Sequence, residues 1–348
     1  VSEARVTREG LAGERPGRDA LFGNGMDGEP APRRRRGGGG ETRMVPPAGF
    51  TSYYGRPVVK APSWEARDIA GYLFLGGLAG AGSVLAAGAD LSGRRRTARA
   101  MKLSSLGAVS LSAAALIHDL GRPERFANML RVLKPTSPMS VGSWLLAGYG
   151  PLAGAAAAAD VTGLVPRAGR AAALGAAVTG PAVAAYTGVL LADTAVPAWH
   201  EGHREMPYLF TASAAVAASG MALLAGPRAE NGPARRAAVL GVAAETVALR
   251  ALRRRTGVIA ETYARGRAGR LLRAAEGLSA AGAAGAALLG GRSRVAAALS
   301  GAALLAASAC TRFGIFHAGV ASARDPKYTV LPQRERLAER EEADRSGT

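Results

Sequence analysis

Read for hydropathy, the chain alternates between long apolar stretches and short polar, mostly basic connections. A helix needs roughly 20 apolar residues to cross a hydrocarbon core about 30 Å thick. Eight stretches approach that length, and we read each as a transmembrane helix: about Ile69 to Leu91, Ala100 to His118, Val141 to Asp160, Ala171 to Ala195, Pro207 to Ala225, Arg236 to Leu252, Gly269 to Gly290 and Val295 to Val320. A soluble helical protein would show a polar face at helical spacing; Ala171 to Leu191 has none. Asp68 is placed to cap the first span and Pro181 to kink the fourth. The sixth and seventh spans carry Glu245, Arg273 and Glu276; Arg273 and Glu276, three apart, are expected to meet on one helix face. The fold class is therefore an all-α integral membrane protein with about eight transmembrane helices over residues 63–321. Residues 1–62, rich in Gly, Pro and Arg with few large apolar side chains, read as a disordered basic tail, and 322–348 as a polar tail.

Composition sharpens this picture. Of the 348 residues 48% are hydrophobic, yet mean hydropathy is only +0.08. Ala and Gly dominate the apolar stretches, and small residues let helices approach closely in lipid. Lys and Arg outnumber Asp and Glu by 44 to 26, a formal net charge of +18. Such a charge raises nucleic-acid binding as a possibility. The basic residues instead sit in short clusters beside apolar spans, such as Arg94 to Arg96 and Arg253 to Arg255. That placement suits anionic lipid headgroups and no nucleic acid is expected. The loops share their basic residues almost evenly between the two faces; the Arg-rich N-terminal tail tips both termini toward the cytoplasm.

The chemistry the chain lacks is informative. Membrane haem needs axial ligands at membrane depth, and iron–sulfur clusters need several cysteines. The four histidines, His118, His200, His203 and His317, lie near span ends or in a loop, and Cys310 is alone in an apolar stretch. We expect no haem, no iron–sulfur cluster and no metal site in this chain; Trp199 beside His200 and His203 suggests an interfacial segment. Ionisable residues at membrane depth are costly and mark function by default. Here they are Asp119, Arg122, Asp193, Glu245, Glu276 and Arg312, each with an ordinary ion pair or interfacial position as the plainer explanation.

The densest cluster runs from Ile117 to Trp144: His118-Asp119-Leu120-Gly121-Arg122-Pro123, then Ser137-Pro138-Met139-Ser140-Val141-Gly142-Ser143-Trp144. A helix ends at a carboxylate, Gly and Pro turn the chain, and an Arg follows. A second Pro-containing turn re-enters the membrane beside an aromatic ring. Together these would wall a polar pocket at one membrane face; an apolar cavity with a few convergent polar groups is what a quinone headgroup needs.

These two segments, in this order after two spans, resemble the NrfD/polysulfide-reductase family of membrane subunits, and the resemblance covers about Tyr53 to Tyr328, with Thr311-Arg312-Phe313-Gly314 in its second half. It implies two four-helix bundles in a multi-pass protein of the cell membrane. It also implies a menaquinone or ubiquinone site near one face, a ferredoxin-like [4Fe–4S] partner and a molybdopterin-type catalytic subunit. Where some relatives place a histidine in the first span this chain has none, and Tyr72 is that span's sizeable polar side chain before Asp90. On this basis Arg122, Trp144, Tyr149 and Tyr72 are the expected quinone contacts, with Asp119 or the adjacent His118 exchanging protons. Two rivals stand beside this reading. One is a passive anchor without a quinone site. The other is a proton- or ion-translocating protein in which Asp193, Glu245, Glu276 and Arg312 form a relay, a role that requires them to face one interior.

Overall fold

The computed structural model of the chain describes residues 5–7, 10–12, 58–62, 64–119 and 128–346. The contacts divide the chain into two units, Pro62–Ser322 and the two terminal regions outside it. In the terminal unit Arg5–Thr7 (β1) pairs antiparallel with Gly10–Ala12 (β2), and Lys327–Ser346 forms a charged, largely exposed helix at the other end of the chain. The remainder of the expected tail up to residue 57 falls outside the described residues.

The larger unit is helical among its described residues. Its long helices are α1 (Ala66–Leu91), α2 (Arg95–Asp119), α3 (Pro138–Thr162) and α4 (Pro166–Ala192), then, after the short α5 (Pro197–Glu201), α6 (Met206–Ala225) and α7 (Gly232–Arg255). The short α8 (Ala260–Ala264) precedes α9 (Gly266–Leu288) and α10 (Arg294–Arg324). Every expected span falls on one of these. Five, namely α1, α2, α4, α6 and α10, are long and apolar enough to cross a membrane. The other three are less apolar for visible reasons: Arg and Glu side chains interrupt α7 and α9, and Gly, Ser and Pro dilute the first half of α3.

Two sequence expectations change at this level. Helix α1 begins three residues earlier than expected, at Ala66, so Asp68 lies in the first turn and pairs with His118 Nδ1 at 2.9 Å instead of capping. Glu276 pairs with Arg253 across to α7 at 2.6 Å, while Arg273 donates to the Ala264 carbonyl at 3.0 Å. The residue three positions along the same helix thus loses to a better-placed cation on its neighbour.

Glycines decide the closest crossings. Helix α1 packs on α2, α4 and α6, and α3 packs on α2 and α4. At the α1–α4 crossing Gly80 and Gly180 face each other so closely that a Cβ on either would strike the other's carbonyl. The α6–α10 crossing repeats the device, where a Cβ at Gly220 would come within 2.6 Å of the Gly301 oxygen. Helix α7 packs on α6 and α9, and Gly282 of α9 receives Leu304 of α10. Close backbone approach through small residues is the packing mode expected in lipid.

Candidate functional site

A cavity of about 580 Å³ opens where the start of α1, the end of α2, the start of α3 and the end of α4 converge. That volume lies within the usual range for small-molecule sites. Its walls are mostly apolar, from Ile69, Leu73, Leu116, Met129 and Leu190. Polar groups interrupt them: Tyr72 from α1, Asp119 from α2, Ser143 from α3, Tyr186 from α4, and Asp193 just past α4. Trp64 closes one side, stacked at 5.9 Å on Trp199.

Local sequence explains this geometry. The Pro138 turn starts α3 at the cavity floor, and Ser143 there donates to Met139 O at 2.9 Å. Gly142 is needed because the Tyr186 phenol lies directly on it; a Cβ at that position would overlap the ring. The glycine of the Ser-Pro-Met-Ser-x-Gly-Ser-Trp segment is therefore what lets a phenol from α4 reach the cavity. Tyr72 is 1% exposed, and its hydroxyl lies near the Tyr186 phenol but makes no well-formed hydrogen bond among the described residues. A buried hydroxyl without a well-formed hydrogen bond is costly and calls for a ligand or water. Trp199, expected at an interface, is instead fully buried: it lies on Gly319, whose missing Cβ makes room, and its Nε1 donates to Ile315 O at 2.9 Å.

The structure distributes the sequence-derived candidates unevenly. Tyr72, Asp119 and Asp193 line the cavity. Arg122 lies outside the described residues. Trp144 is 43% exposed on the outer face of α3. Tyr149 is buried one level deeper, with its hydroxyl 2.7 Å from Ser83 Oγ and 2.6 Å from the Ala79 carbonyl it donates to. His118 is exposed, held by Asp68. Ser143 lies in the segment expected to wall the pocket, while Tyr186 and Trp64 are cavity residues that sequence reasoning passed over. Tyr186 was findable as the large polar side chain in an otherwise apolar span.

Glu245 and Arg312 form a separate polar centre among α6, α7, α9 and α10. Arg312 is fully buried, its Nη2 donates to Phe210 O at 2.6 Å, and its guanidinium sits 3.9 Å over the Phe210 ring. Thr311 donates to Glu245 at 2.8 Å, and Ser279 does so at 3.3 Å. Gly77 of α1 gives the guanidinium room, since a Cβ there would lie 3.1 Å from Nη2. Asp193 belongs to the cavity and Glu276 to the exposed edge of α9, so the four relay candidates occupy three separate places. No group of three metal-ligating side chains occurs among the described residues.

A comparison with curated proteins finds no match. The family described as Polysulphide reductase, NrfD, matches over residues 60–243, just over half of the chain, including all four helices around the cavity. With that match and five helices apolar enough to cross a bilayer, the chain is a multi-pass membrane protein and belongs to the polysulphide reductase, NrfD family of oxidoreductase membrane subunits.

Proposed function

We propose that this chain is the quinone-reactive membrane subunit of a multi-subunit oxidoreductase, exchanging electrons between an iron–sulfur partner and menaquinone or ubiquinone. The observation that carries the reading is the 580 Å³ mostly apolar cavity with the Tyr72 hydroxyl, beside Tyr186 and without a well-formed hydrogen bond, in its wall. Its residues suit a quinone: flat apolar walls for the ring, a phenol to donate to a carbonyl, and carboxylates at the rim to exchange protons. A bound quinone would supply the two-electron, two-proton chemistry. Tyr72 and Tyr186 would orient it, Asp119 and Asp193 would hold or release protons at their carboxyl oxygens, and Trp64 would exclude water from one side. A [4Fe–4S] ferredoxin-like partner, itself serving a molybdopterin-type catalytic subunit, would dock at the cavity end so that electrons travel a short path.

The same reading takes all eight long helices as crossings, within a membrane domain of residues 63–321, in two four-helix bundles. The closed ring of contacts through α1, α2, α3 and α4 supports the first bundle. The neighbours α6–α7, α7–α9, α9–α10 and α10–α6 support the second.

The test uses the complex purified gently from its membrane. Quinone extracted in near-stoichiometric amount, together with an iron–sulfur polypeptide, is the expected result. Asp119→Asn and Tyr72→Phe should each lower quinone turnover about 10²-fold or more. Turnover unchanged in both variants would overturn the assignment.

A further inference from the structure

We propose that the end of α1 to α4 opposite the large cavity binds an anionic phospholipid, its phosphate held between Arg95 and Arg170 and its acyl chains lying along the outer flank of α4. The inference rests on the membrane setting of these helices and is independent of the quinone reading.

The place is a second cavity, of about 300 Å³, where α1 and α3 end and α2 and α4 begin. From Tyr72 at the large cavity to Asp90 at this one, α1 rises about 27 Å. That is nearly the thickness of a hydrocarbon core, so the second cavity lies at the level of the other headgroup layer. Its carboxylates are already satisfied. Lys102, with a side chain only 6% exposed, holds Asp90 at 2.8 Å and Asp160 at 3.0 Å, and Arg99 reaches Asp160 at 3.6 Å. Arg95 and Arg170 line the same cavity and have no ion pair or hydrogen bond among the described residues. With both carboxylates neutralised, these two guanidinium groups leave a positive excess, and their planar forks suit a phosphate. The start of α4 adds to it. No side chain caps that helix, its first turn holds no acidic residue, and Pro166 and Gly169 of that turn line the cavity. Free amides at a helix start favour an anion. The start of α2, by contrast, already has one, since the Thr97 amide donates to Glu230 at 2.8 Å.

Two features select a lipid over a free anion. The turn between α3 and α4 presents apolar side chains beside the arginines, with Leu164 68% exposed and Val165 67% exposed. Cations beside exposed apolar surface are what an anionic lipid surface attracts. Further along α4, Arg170, Leu174 and Val178 follow one another at four-residue spacing, and all three are exposed. Residues four apart lie above one another on a helix surface. An acyl chain leaving a phosphate at Arg170 would therefore run down an apolar stripe toward the middle of the membrane. The cavity volume agrees with this division, being at the low end for small-molecule sites and so sized for a headgroup with its chains outside.

The test uses the complex purified with its natural partners and stripped of lipid in neutral detergent. Dioleoyl phosphatidylglycerol is titrated in mixed micelles, bound lipid is counted by native mass spectrometry, and dioleoyl phosphatidylcholine is the comparison. Preferential binding of phosphatidylglycerol is the expected result. Arg95→Gln should weaken it about fivefold, and Arg95→Gln with Arg170→Gln about 30-fold. Both side chains are exposed and unpaired, so neither variant loses an internal contact. Arg236→Gln with Arg292→Gln removes the same charge from exposed positions on the same membrane face and should leave binding unchanged. Equal loss in the two double variants would mean diffuse surface charge and overturn the site, as would equal binding of phosphatidylcholine. Displacement of the lipid by inorganic phosphate or glycerol 1-phosphate at matching concentration would make it a soluble-anion site and overturn the lipid assignment. Quinone is read in none of these arms, so the quinone reading stands or falls separately.

Discussion

Single residues set the character of both polar regions. Gly142 is the clearest case: the Tyr186 ring occupies the space its side chain would need. Gly142→Ala should displace that phenol, cost about 1–3 kcal/mol and reduce bound quinone, checked by thermal unfolding in detergent and by lipid extraction. Arg312 is a buried cation that feels the charge of Glu245 without an ion pair at contact distance, and Glu245 is itself held by Thr311 and Ser279. Removing one partner of a buried contact pair costs about 3–5 kcal/mol because the other is stranded, and a looser buried coupling such as this one costs less. Arg312→Met should therefore be destabilising, and Glu245→Gln in the same chain should recover part of the loss. A double variant no more stable than Arg312→Met would mean the two charges are not coupled. At the opposite face, burial pushes the Glu230 carboxyl up, but the Thr97 amide at 2.8 Å, the Thr97 hydroxyl, the Arg96 amide and the Arg96 charge together outweigh it and hold it below the usual glutamate range. Its contribution is present above the ordinary glutamate pKa and is lost as pH falls through the depressed folded value. Glu230→Gln should accordingly flatten the acid limb of stability against pH while leaving the neutral region little changed.

Between elements, stability comes from close backbone approach rather than from large side chains. The Gly80–Gly180 and Gly220–Gly301 crossings leave no room for a Cβ on either side. Gly180→Ala should force α1 and α4 apart at a cost of about 1–3 kcal/mol, while alanine at Gly148, where nothing lies nearby, should be close to neutral. Comparable melting temperatures for the two variants would show that the crossing is not where α4 is held. The existence of the long helices was legible at this scale, five of them apolar enough to cross a membrane, because apolar stretches separated by charged turns admit few alternatives in a bilayer. Span ends and side-chain partners were less so: Asp68 took His118 instead of the helix terminus, and Glu276 took Arg253 instead of Arg273. A carboxylate's partner depends on which neighbouring helix passes within reach, which spacing along one helix does not contain.

For the molecule as a whole, the four helices that wall the cavity also hold the Lys102 centre near their other ends. A ligand seated among four helices ties them together, and a ligand that binds only the folded state stabilises it by about 2.7 kcal/mol at 100 times its dissociation constant. Stripping quinone from the purified complex should thus lower its melting temperature, and adding a naphthoquinone back should restore it. From the amino-acid order alone followed a helical multi-pass membrane protein, its long helices, the motif from Asp119 to Trp144, and the family that motif resembles, since hydropathy and local turn chemistry are written along the chain. The tertiary structure decided which side chains meet. It brought Tyr72, Asp119, Ser143, Tyr186 and Asp193 to one cavity, turned Trp144 outward, and joined Lys102 to carboxylates 12 and 58 residues away. The reason is physical: a helix's own periodicity says which of its residues share a face, but the neighbour that face meets is chosen by where glycines permit contact and where buried charges find partners.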